Sequence, residues 1–60
     1  MNATGKPDMV SVRDKLPPVG FRVIVVGKGY RCLGYLDHEG IWRDDAHDNE
    51  LHDVIGWIEL

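Results

Sequence analysis

Sixty residues make one domain, and a chain that short buries only about 60% of its unfolded surface, which leaves a barely sufficient core and no room for a second domain. The single cysteine, Cys32, excludes an internal disulfide and an all-cysteine metal cage. The net charge of −3 conceals a basic half, residues 1–31 with six Lys/Arg against two Asp (+4), and an acidic half, residues 32–60 with Arg43 against eight carboxylates (−7).

The opening MNATGKPDMV lacks a secretory pattern, and no apolar run approaches the roughly 20 residues of a membrane helix. The expectation is a cytoplasmic protein with no membrane partner. Residues 1–8 show no periodicity and read as a disordered tail, leaving residues 9–60 as a single β domain. Met9–Val12 is a short strand candidate. In the connector Arg13–Gly20, Pro17 and Pro18 impose a stiff extended path, with Leu16 expected to plug the end of the sheet.

Phe21–Val26 has the strongest strand composition in the chain, and Gly27-Lys28-Gly29 follows as a turn. A three-residue loop there sets Val26 opposite Tyr30, Val23 opposite Leu33 and Phe21 opposite Tyr35. That register predicts a core face of Phe21, Val23, Val25, Leu33 and Tyr35, with Arg31 at its turn end. The second face then carries Arg22, Ile24, Val26, Tyr30, Cys32 and Gly34, less polar than a solvated face should be.

Asp37-His38-Glu39-Gly40 predicts a second hairpin with Gly40 left-handed, and Ile41-Trp42-Arg43 a returning strand. Asp44–Asp53 breaks the pattern. It forms at most one short helical turn near 45–52, with Asp45 as N-cap and Leu51 pointing inward, or else an irregular loop. Val54–Leu60 is the last strand, with Trp57 too large to leave exposed. Eleven Val and Ile against five Leu and two Ala disfavour a helical bundle. The fold class is therefore mostly β: a small antiparallel meander of four or five strands, either a half-open SH3-like barrel or a twisted sheet with the proline connector and acidic turn packed on it.

The run Val10-Ser11-Val12-Arg13-Asp14-Lys15-Leu16-Pro17-Pro18, then Gly20 and an apolar strand, then Val54-Ile55-Gly56-Trp57, resembles the phage and prophage proteins grouped as domain of unknown function 551. The resemblance spans about residues 9–60. Met9 stands where that family usually has Trp, and the family's Trp-Met-Pro-Leu-Pro ending is missing. The resemblance implies a mobile-element origin, in a phage or its bacterial host, and carries no known activity or site residues.

Each candidate chemistry has a plainer alternative. His47 and His52 among Asp44, Asp45, Asp48, Glu50 and Asp53 are suitable metal-ligand types, but the spacing fits neither a calcium loop nor a common zinc pattern, and a solvated acidic loop is favoured. Cys32 reads as a structural thiol, lacking an assignable base. Gly27-Lys28-Gly29 is a turn without P-loop spacing. No cofactor, metal site or catalytic constellation is expected, hence no enzyme.

Three binding readings remain. The leading one is a non-enzymatic interaction module that meets a protein partner, or a second copy of itself, through Ile24, Val26, Tyr30 and Trp42. The alternative is weak nucleic-acid binding through Arg22, Lys28 and Arg31, helped by Arg13, Lys15, Phe21 and Tyr30 and opposed by the net negative charge. The third treats the carboxylates of residues 37–53 as a surface imitating a phosphate backbone, against the simpler view that they complement the basic half or keep the protein soluble.

Overall fold

The computed structural model describes residues 8–60, so the expected tail at 1–8 lies, but for Asp8, outside the described residues. Five strands form one antiparallel sheet: β1 (Val10–Ser11), β2 (Val23–Gly27), β3 (Tyr30–Leu36), β4 (Trp42–Asp44) and β5 (Val54–Glu59). No helix occurs among the described residues. The order β1-β5-β2-β3-β4 leaves the sheet open, with β1 and β4 at its edges. The last strand inserts between the first two and pairs with β2 along most of its length. The all-β, antiparallel expectation holds.

The first hairpin differs from the expected one by one residue. Gly27 pairs with Tyr30, Val25 with Cys32 and Val23 with Gly34, so the loop is only Lys28-Gly29. Gly29 supplies the left-handed residue the turn needs, at φ +82°. A one-residue change of register moves every β3 side chain to the opposite face. Val23 and Val25 remain in the core, but their cross-strand neighbours are Gly34, Cys32 and, from β5, Glu59 and Trp57. Leu33 and Tyr35 go to the other face instead. Phe21 lies before β2 and is 63% exposed.

The core thus sits on one face, around Val23, Val25 and Trp57, with Val10, Val12, Cys32, Trp42, Leu51 and Val54 packed against it. The proline connector covers part of this face, and the Trp57 Nε1–H donates to the Lys15 carbonyl at 2.9 Å. Pro17, not Leu16, is the buried residue of that connector. The pyrrolidine ring has no N–H to strand in the interior, whereas Leu16 is held outward, 52% exposed.

The acidic segment closes the β4 edge. Asp44 N donates to the Asn49 carbonyl (3.0 Å) and Leu51 N to the Trp42 carbonyl (2.8 Å), so the chain doubles back along β4. Asp44, rather than Asp45, organises the turn: its carboxylate accepts from Asn49 N at 2.6 Å and His47 N at 3.3 Å. No helix develops: the Asp48 N–H donates to the Asp44 carbonyl at 2.9 Å, which closes a single turn, and Asp48 adopts φ 60°. Leu51 reaches the core as expected. In the second hairpin Gly40 is left-handed, φ +82°, and the Asp37 carboxylate accepts from the backbone N–H of both Glu39 and Ile41 at 2.9 Å.

Candidate functional site

The residues expected to form one partner face are divided between two. Ile24 pairs with Leu33 and Ile58, on the face away from the core, and Val26 lies on that face too but is buried, 9% exposed, and offers a partner little surface. Tyr30 and Trp42 are on the core face. Tyr30 lies over Gly27, where any Cβ would collide with its ring, and its hydroxyl donates to the His52 carbonyl at 2.6 Å. Trp42 packs on the core cluster. The four therefore form no common surface, because the two-residue loop reverses the parity of β3 relative to β2.

The basic set is divided as well. Arg22 stacks 4.2 Å from the Tyr35 ring centroid, and its Nε meets the Asp45 carboxylate at 2.5 Å. One residue of the basic half is thereby matched to the acidic half. Lys28 is at the hairpin tip, and Arg31 projects from β3 two rows of side chains away from Tyr35, about 13 Å along the strand. No continuous cationic track joins the three.

The carboxylates have structural work of their own. Asp37 Oδ2 accepts from Arg43 Nε at 2.8 Å, and that bond, with the two backbone donors, holds its carboxyl below the usual range. The same pairing raises Arg43, whose guanidinium also reaches the Asp48 carbonyl at 3.0 Å. Tyr35 donates its hydroxyl to Asp48 Oδ1 at 2.5 Å, and that hydrogen bond pushes the phenol up. Among the described residues no three His, Cys, Asp or Glu side chains converge as metal ligands. Burial, then the Asp44 carboxylate, pushes the Cys32 thiol up, which disfavours the thiolate a nucleophile requires.

A concave feature lies at the open end of the core. A cleft of about 630 Å³ is lined by Lys15 to Pro18 of the connector, by Phe21, Arg22 and Val23, and by Trp57, Glu59 and Leu60 of the last strand. Its floor is made by the buried side chains Val23 and Trp57. Its mouth carries Leu16, Phe21 and Leu60, which are 52, 63 and 73% exposed. Val19, between the prolines and Phe21, is 56% exposed. Three of the four most exposed large apolar side chains among the described residues, Leu60, Phe21 and Leu16, thus line one opening, whose charged side chains are Lys15, Arg22 and Glu59.

The connector's path creates this arrangement. The Gly20 N–H donates to the Leu36 carbonyl at 2.9 Å and Phe21 N to the Pro18 carbonyl at 3.2 Å, which pins the turn and sends Phe21 outward. Sequence reasoning assigned Leu16 and Phe21 to the interior and missed the cleft. The signal was present in Pro17-Pro18 and Gly20, which fix a rigid path ahead of β2 instead of letting the strand run back to Phe21. No family model, curated protein or solved structure matches the chain.

Proposed function

We infer that the domain is a non-enzymatic interaction module that holds an extended segment of a partner protein in the cleft between the proline connector and the end of the sheet. The observation that carries this reading is the gathering of Leu16, Phe21 and Leu60 at the mouth of a cleft floored by Trp57 and Val23. Apolar surface of that kind with a polar rim is costly to leave in water and is the usual mark of a protein-binding site. An extended segment inserting one or two large apolar side chains suits the shape: the floor takes the side chain, and Lys15 and Glu59 at the rim set its orientation. By the family resemblance, that partner would be a phage or bacterial protein.

Selection from a random peptide library displayed on phage, with the wild-type domain as bait and the Phe21→Ser variant as counter-bait, tests the reading. The expected result is enrichment of peptides bearing Leu or aromatic residues, whose binding shifts the Trp57 indole N–H and the amides of Leu16 and Phe21. Peptides that bind the two baits equally would oppose it. So would shifts confined to the opposite face of the sheet.

A further inference from the structure

We propose that the sheet face opposite the core is a dimer interface, on which a second copy of this chain packs about a two-fold axis. The connector and Leu51 pack on the core side, and the acidic loop reaches the opposite face at its Tyr35 end, through Asp45 and Asp48. On the other side, Ile58, Ile24 and Leu33 stand directly across from one another on β5, β2 and β3, forming a straight apolar row. In the next row toward the Lys28-Gly29 turn Val26 is already buried, 9% exposed, and Met9, whose side chain lies over Gly56, extends the apolar surface. Leu33 and Met9 remain 39 and 44% exposed. No helix or second sheet covers this face among the described residues.

The charges flanking the row identify the occupant as a second copy. Along β3, Arg31 and Tyr35 lie two residues to either side of Leu33, each about 7 Å away. Arg31 has no ion pair among the described residues. At the Tyr35 end, Arg22 and Arg43 face Asp37, Asp45 and Asp48, a net charge of −1. A two-fold axis running along the Ile58–Ile24–Leu33 row, between the facing sheets and across the strands, lays each row on its own copy. It also places Arg31 of one protomer over the Tyr35–Asp48 end of its partner, and the same contact recurs on the other side. Facing sheets pack about 10 Å apart, near enough for these side chains to meet. The patch is self-complementary, as an isologous interface has to be.

Sedimentation equilibrium of the full chain, with NMR on a mixture of isotope-labelled and unlabelled protein, tests this. The wild type is expected to dimerise below about 1 mM and to show intermolecular NOEs among the methyls of Ile24, Leu33 and Ile58. Arg31→Glu, which sets like charges in register, should weaken the dimer about tenfold or more. Leu33→Lys should leave a folded monomer, checked by its amide spectrum. Phe21→Ser, in the cleft, should leave the dimer constant unchanged. A wild-type monomer at about 1 mM would overturn the proposal. A dimer whose NOEs connect other residues, or that responds to Phe21→Ser and not to Arg31→Glu, would do the same. The intermolecular NOEs need no substitution, so the outcome stands even if a variant fails to fold.

Discussion

Trp57 shows what a single residue contributes in a chain this small. Its ring is 6% exposed and forms much of the core, while its indole N–H satisfies the Lys15 carbonyl and so ties the connector to the sheet. Trp57→Phe keeps most of the apolar contact and removes the donor, so it should cost about 1–2 kcal/mol in urea unfolding. Trp57→Ala should cost about 3–5 kcal/mol, enough to unfold a marginal domain. Asp37 makes a pH-dependent contribution. Its folded pKa lies below the unfolded value because Arg43 and two backbone N–H groups favour the carboxylate. The stability it confers is therefore complete above the unfolded pKa of about 3.9 and is lost as pH falls through the lower folded value. Asp37→Asn should be less stable than wild type at neutral pH. Urea midpoints measured down to about pH 2 should show that gap narrowing, and a pH-independent gap would mean that the Asp37 charge is not what matters.

At the scale of elements, the first hairpin decides the fold's two faces, and its register depends on two glycines. Gly27 makes room for the Tyr30 ring, and Gly29 takes the left-handed turn position. Gly29→Ala should cost about 1 kcal/mol through backbone strain. Gly27→Ala should cost about 1–3 kcal/mol by displacing the ring, and less in a Tyr30→Ala background, where nothing is left to displace. Thermal unfolding of the double-mutant cycle measures that coupling. Strand existence and chain order were legible from composition: all five strands lie within a residue or two of their expected spans, because Val and Ile density and the turn glycines mark them locally. Register was not legible. Gly27-Lys28-Gly29 fits a two- or three-residue loop equally well, and only the packing of Tyr30 on Gly27 and the entry of β5 beside β2 choose between them. The misplacement of Leu33, Tyr35, Tyr30 and Trp42 follows from that one ambiguity. The position of Asp44 rather than Asp45 as organiser of the acidic turn has a similar origin, since adjacent aspartates offer the same chemistry and only tertiary hydrogen bonds separate them.

For the whole molecule, the charge asymmetry of the sequence is resolved partly within the fold. Arg22 meets Asp45 across 23 residues, an exposed pair that contributes little stability but fixes where the acidic loop lies. What the fold does not resolve is its apolar excess. One face becomes the core, and the remaining apolar side chains divide between the opposite face and the cleft mouth. That excess follows from chain length alone, but the expected register misplaces it: Ile24 stays on the outer face, Val26 is buried, and Phe21 and Leu16 stand exposed at the cleft mouth instead of in the interior. Because Leu16 and Phe21 are exposed, Leu16→Ser with Phe21→Ser should change folding stability by no more than about 0.5 kcal/mol per site. The same double variant should abolish binding at the cleft. The most direct test is the affinity of a library-selected peptide for wild type and for this double variant, measured by the shift of the Trp57 indole N–H. A saturable shift in wild type that disappears in an equally stable variant is the predicted result. An undiminished affinity in the variant would contradict the claim that the cleft is the binding site.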